Sequence, residues 1–229
     1  YTNDNDDDTS SLLAQFTELN NKVTMIEETL KTKFHGSVIT GERFHDMAYY
    51  RNKVLDIVKS QYYNCDYLIL VDTDILGGWS YDGVAHTFGS LKDFDFVGSN
   101  GLIYRKRGPK GETLERLHYD TLAFRRKDQP WGEQEDNITC NLLTFERGDS
   151  PVEVQSVFGG LCIYKLNSIL PGRVRYDGSD CDHCVLHRAI IENGGKGYLN
   201  PSQIVLHSTS PYYLGPLVTK NMEFHYETT

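Results

Sequence analysis

The sequence predicts an α/β fold with a mostly parallel central sheet flanked by helices, and three observations carry that reading. Tyr67–Val71 (YLILV) is an unbroken apolar run, bounded by polar residues before it and by Gly77-Gly78 after it, as in a strand buried on both faces. The stretch from His45 to Ser60 sets Met47, Tyr50, Val54, Leu55 and Val58 at amphipathic-helix spacing and leads directly into that run. Asp72 and Asp74 follow the run, at the strand end where open α/β sheets place their ligands.

Two carboxylates one residue apart repel each other unless a cation or donor groups lie between them. A hard divalent ion, Mn2+ or Mg2+, suits the pair, because it takes carboxylate oxygens and completes its shell with water and phosphate. Gly77 and Gly78 leave room for a ligand to approach the backbone. The plain alternative is a surface turn with two solvated aspartates. A phosphohydrolase nucleophile at an apolar strand end is another, but that pattern usually wants Thr or Val where Leu76 stands.

With 229 residues, 39% of them hydrophobic, the chain can bury a core as one large domain or two fused halves. A net charge of -9 argues against a nucleic-acid partner. No window approaches the length of a membrane-spanning apolar run. Five scattered cysteines (Cys65, Cys140, Cys162, Cys181 and Cys184) point to reduced thiols in a cytosol-like compartment.

At the N-terminus, Asn and Asp residues precede a helical pattern (Leu12, Leu13, Phe16, Leu19), with Thr9 or Ser10 as the expected cap. Asp4, in an acidic turn between a strand end and a helix, is a candidate acceptor for base N–H groups or ribose hydroxyls. Tyr1 reads as part of a strand, so an earlier strand and helix are expected to be missing. Lys22–Ile26 and the stretch from Ser37 to Thr40 read as short strands. On the helix before the aspartates, Arg51 can pair with Asp72 or with a diphosphate through its planar fork, or be an ordinary surface arginine.

Beyond the aspartates, the segment after Trp79 reads as a short helix and Phe94–Tyr104 as a strand. Arg105–Arg116 reads as a basic mobile loop in which Lys106, Arg107 and Lys110 could meet a phosphate. Trp79, Trp131, Tyr119 and Phe124 are candidates for stacking on a sugar, although large aromatics pack cores more often. Val152–Lys165 reads as one strand broken by Gly159 and Gly160, a bulge or a close approach of backbone to ligand. Asp180 or Asp182 caps a helix that stops at Asn193-Gly194, and a last strand, Gln203–Leu206, delivers His207. Cys181, His183, Cys184 and His187 lie too close together on one helix to converge on a tetrahedral zinc ion.

Taken in order, these segments (NDNDDDTS, YRNKVL, VDTD, FGGL, CDH and VLH) resemble the GT-A class of nucleotide-sugar glycosyltransferases along nearly the whole chain. The chain is also similar to transferases of large algal viruses that glycosylate capsid protein. The resemblance implies a Rossmann-like, three-layer αβα sheet in one domain over residues 1–229. Residues 1–100 form its nucleotide-binding half and residues 101–229 its acceptor half, with the first strand lacking before Tyr1. It further implies a donor that is a nucleotide-diphosphate sugar, UDP favoured, contacted by Asp4, Arg51, Asp72, Thr73 and Asp74. Mn2+ or Mg2+ is held by Asp72, Asp74 and His207, and Trp79, Gly159, Gly160 and His183 line the substrate. Asp182, with Asp180 in reserve, is the expected base for an inverting transfer to a hydroxyl of a glycan or glycoprotein. The cytoplasm, of the host cell if the protein is viral, is the expected location. The sequence departs from the family where His183 follows Asp182 in place of an acidic residue. A retaining transferase, a nucleotidyltransferase and a catalytically silent sugar-binding domain are the alternatives.

Overall fold

The computed structural model describes residues 1–35, 39–107, 113–131, 133, 137–207 and 224–225. Within these, six helices and eleven strands alternate in an α/β arrangement. Thr2–Asn3 (β1) pairs in parallel with Glu27–Glu28 (β2) in a small sheet of its own. The strand expected at Lys22–Ile26 is therefore displaced to β2. Between them lies α1 (Thr9–Leu19), with Asp8 rather than Thr9 or Ser10 at its N-cap. Gly41–Gln61 (α2) starts at Thr40, whose hydroxyl accepts the Arg43 N–H at 3.3 Å. Ser37 and Val38, in the second expected strand, lie outside the described residues.

The large sheet has nine strands, in the order β11-β4-β10-β5-β9-β3 along its main path. These are Tyr67–Val71 (β3), Trp79–Ser80 (β4), Phe96–Arg107 (β5), Leu161–Lys165 (β9), Gly197–Leu206 (β10) and Phe224–His225 (β11). Thr113–His118 (β6) extends it from β5, while Arg125–Arg126 (β7) and Val152–Ser156 (β8) extend it from β10. Among the described residues only β5 and β10 pair in parallel within this sheet, and its other pairings are antiparallel. The sheet is thus mixed and mostly antiparallel, not mostly parallel as the apolar run suggested. That run marks a strand, but it carries no information about the direction of its neighbours.

Its burial also differs from expectation. β3 lies at the end of the strand order, with Tyr67 and Ile69 about half exposed and Leu68 and Leu70 turned toward the core. Tyr67 packs edge-on against Phe88 at 4.9 Å and stacks on Phe94 at 6.1 Å, so aromatic packing accounts for its place in the run. The segment read as a basic loop after Tyr104 contains the pairing arms of β5 and β6, in register from Leu102↔His118 to Arg107↔Thr113. Lys110 lies outside the described residues, as do the side chains of Lys106 and Arg107. Residue 100 falls inside β5, so the sheet runs through that point without a break.

The core gathers between the sheet and α2 and α6 (Asp182–Glu192). At its centre His187 stacks on Phe96 at 3.9 Å and bonds Ser156 at 2.8 Å and Tyr164 at 2.9 Å. Burial pushes this imidazole well below its ordinary pKa, so it sits neutral among its partners. His187 is therefore a packing residue. All five cysteines are free, and no helix of the described residues is long and apolar enough to cross a membrane.

Candidate active site

Arg51 lies midway along α2, and its neighbour Asn52 ties that helix to the chain before α6. The Asn52 side chain donates to the Tyr176 carbonyl at 2.8 Å and accepts the Tyr176 N–H at 3.2 Å. This docking sets Arg51 against the first residue of α6: its Nε donates to Asp182 at 3.0 Å, and its terminal nitrogen reaches Asp72 at 3.4 Å. One guanidinium thus bridges the end of β3 and the start of α6.

A cavity of about 240 Å³ opens at this bridge, lined by Asp72, Asp74, Asp120 and Asp182 together with Arg43, Arg51 and His183. Burial raises the Asp72 carboxyl to about 6, with Asp74 and Asp182 adding to the rise and Arg51 opposing it. Asp182 goes the other way. Burial works to raise it, but His183, Arg51 and the Arg51 hydrogen bond hold it well below the usual carboxylate range. His183 is itself pushed down to about 4 by burial, so at neutral pH Arg51 is the charge that keeps Asp182 ionised.

His207 reaches the site by a route the sequence did not show. Its strand, β10, is separated from β3 by β5 and β9, not adjacent to it. The segment after β3 crosses to β10 instead: Leu76 N–H donates to the His207 carbonyl at 3.0 Å and Gly77 N–H to the Leu206 carbonyl at 2.9 Å. The His207 ring stacks on Tyr119 at 3.8 Å, and its Nε2 stands 4.0 Å from Asp74. Burial lowers its pKa against the pull of Asp74. That Nε2 is buried without a hydrogen-bond partner among the described residues. A neutral imidazole nitrogen beside a carboxylate, with nothing to satisfy it, fits a divalent cation. No three His, Cys, Asp or Glu side chains among the described residues are grouped as a ready metal site. The donor set that fits is therefore Asp74 with His207, since Asp72 is turned toward Arg51.

The remaining candidates separate cleanly. Asp4 has a left-handed backbone (φ 52°), and its carboxylate accepts the N–H groups of Leu30, Lys31 and Thr32 at 2.8, 2.9 and 3.1 Å and the Thr32 hydroxyl at 2.9 Å. Those bonds, the Lys31 N–H first, hold it well below the usual carboxylate range. It clamps the loop after β2, so its oxygens are not free for a base. Asp180 faces the Arg125 guanidinium at 3.6 Å and does not line the cavity. Thr73 is exposed and Trp79 packs against the cluster of Phe94, Val97, Leu161, Ile163 and Val205; neither lines the cavity. Gly159 and Gly160 serve chain approach. Both have positive φ (64° and 88°), and the Gly160 carbonyl accepts the Asp72 N–H at 3.0 Å. His183 is 5% exposed, stacks on Phe158 at 3.6 Å and walls the cavity.

Two residues that the sequence reading passed over belong to the site. Asp120 lines the cavity with a left-handed backbone (φ 70°), its carboxylate accepting the Gly159 N–H at 3.2 Å. Arg43 lines this cavity and also a second one of about 310 Å³, shared with Asn3, Asp4, Thr32, Asp46 and Tyr50. Only the position of Arg43 in the first turn of α2 could have drawn notice, and Asp120 is a lone acid without a motif.

No protein-family model matches the chain, and no match is found among curated proteins. Among solved structures the chain is similar to A197 from STIV, at 15% identity and a TM-score of 0.39, over 94% of this chain and 87% of that one.

Proposed function

We propose that this chain is a metal-dependent glycosyltransferase that moves a sugar from a nucleotide-diphosphate donor, UDP favoured, to a hydroxyl of a glycan or glycoprotein, with inversion. The observation that supports it best is the cavity at the end of β3, where Asp74 and an unsatisfied His207 nitrogen stand beside an arginine-braced group of carboxylates. Asp74 and His207 would hold Mn2+ or Mg2+, which supplies positive charge to the departing diphosphate. Arg43 lies between the two cavities, so a donor can set its nucleoside in one and its sugar in the other with the diphosphate near this side chain. Arg51, engaged with Asp72 and Asp182, acts by fixing the walls instead of gripping phosphate. The wall of His183 and Phe158 keeps water from part of the sugar site.

The test is sugar release from a panel of UDP- and GDP-hexoses with added Mn2+. The wild-type chain is expected to turn over at least one donor. His207→Ala is expected to need about tenfold or more Mn2+ for half-maximal rate, on the scale seen when a metal's surroundings are altered. An unchanged Mn2+ titration in His207→Ala, or no release from any donor, would remove the reading.

A further inference from the structure

Resting on the glycosyl-transfer reading, we infer that Asp120, not Asp182, is the carboxylate that receives the proton of the acceptor hydroxyl. Four acidic side chains reach this cavity, and they differ in what occupies them. Asp182 and Asp72 share Arg51, at 3.0 and 3.4 Å. Asp74 faces His207 and is 78% exposed. Asp120 has no Lys, Arg or His nitrogen within ion-pair distance among the described residues. Backbone N–H groups hold it, that of Gly159 at 3.2 Å together with that of Ala123, and they orient the group while leaving acceptor capacity on the carboxylate.

The backbone supports a placed group. A non-glycine residue at φ 70° is uncommon, and such positions gather at functional sites. The Ala123 N–H donates to the Asp120 carbonyl at 3.1 Å, closing the turn that presents the side chain. His183, nineteen-twentieths buried in the cavity wall, has an Nδ1 without a hydrogen-bond partner among the described residues.

The charged and titratable groups lining the cavity around Asp120 are Asp72 and Asp74 after β3, Cys181 before α6, Asp182 and His183 on α6, Arg51 and Arg43 on α2, and its neighbour Tyr119. Burial first, with the charges of Asp72 and Asp182, raises the Asp120 carboxyl to about 7, against the N–H groups of Gly159 and Ala123. A base works best with a pKa near the working pH, whereas a carboxylate held strongly acidic by an arginine is a poor acceptor of a hydroxyl proton. In the transfer the acceptor oxygen bonds the anomeric carbon. The bond from that carbon to the β-phosphate oxygen breaks with its electron pair passing to the phosphate, and the acceptor's proton moves to Asp120.

The experiment compares wild type, Asp120→Asn and Asp182→Asn in sugar release from the same panel of UDP- and GDP-hexoses with Mn2+, water acting as acceptor, across neutral pH. UDP binding is measured in parallel by calorimetry. Asparagine accepts the left-handed conformation as aspartate does, so Asp120→Asn keeps the turn. It is expected to hold UDP within about twofold while release falls about 100-fold or more, and to lose the rise in rate near pH 7. Asp182→Asn is expected to keep that rise. Release from Asp120→Asn within about threefold of wild type, or loss of the rise in Asp182→Asn instead, assigns the proton to another group. If wild type releases no sugar from the panel, the transfer reading falls and the role of Asp120 falls with it; an active Asp120→Asn removes that role alone.

Discussion

Arg51→Met is expected to lower the free energy of unfolding by about 3–5 kcal/mol, because it removes the one cation shared by two carboxylates in a mostly enclosed site. The Arg51, Asp182 and Asp72 side chains are 18%, 13% and 23% exposed, too little for water to screen the charges left behind. Methionine keeps the packing against the Phe158 ring, over which the guanidinium sits at 6.0 Å. Adding Asp182→Asn to Arg51→Met should recover a large part of the loss, since one of the stranded charges is gone. Urea unfolding of the single and double variants checks this. A loss below about 1 kcal/mol would place the bridge with ordinary surface ion pairs.

Acidification offers a second view of the same bridge. Asp182 is held below its unfolded pKa, so it stabilises the fold above the ordinary carboxylate range and that contribution fades as pH falls. Asp72, raised to about 6, has the opposite sign: its burden on the fold grows as pH rises from the ordinary carboxylate range through 6. In Arg51→Met both carboxyls rise, so the variant should regain more stability on mild acidification than wild type does.

Gly159→Ala is expected to cost about 2–5 kcal/mol, combining left-handed strain with a forced displacement of neighbouring chain. A methyl group there would collide with the Ser99 carbonyl oxygen and meet its carbon at 2.9 Å and the Gly101 nitrogen at 3.0 Å, all backbone of β5. Nothing in that contact can swing aside as a side chain would. Because Gly159 also donates to Asp120, the substitution should loosen the carboxylate along with the sheet. Gly89→Ala in Tyr81–Ser90 (α3) is the control: its methyl meets nothing within 4 Å, and about 0.5–1 kcal/mol of stabilisation is expected. Thermal melts of both variants decide the matter, and equal melting temperatures would show that the Gly159 approach is not tight.

Much of the local structure could be read from residue order. The span of β3, the helix leading into it, a helix beginning near Asp182 and the strand ending before His207 all follow from periodicity and stop signals, although the cap of that helix is Cys181 and not Asp180 or Asp182. Arg51, Asp72 and Asp74, read from their place around the apolar run, and Asp182, which the family resemblance implied, line one cavity. Pairing direction was not legible, because periodicity along a strand reports its faces and not its neighbours; the antiparallel β3–β9 pair shows this. The position of Asp4 was legible, but its saturation by the loop at Leu30–Thr32 was not, since those donors lie far along the chain. Asp120 was hidden for a different reason. Its distinction is a backbone angle and the absence of a cation, and neither leaves a trace in residue type.

The register of β5 with β10, from Phe96↔Gly197 to Leu102↔Leu206, joins stretches from distant parts of the chain. Such a seam has a large loop-closure cost and sets a slow tempo for folding. A nascent chain has no middle to its sheet until the stretch from Gly197 has been synthesised, so the pocket-forming aspartates cannot be held together before that point.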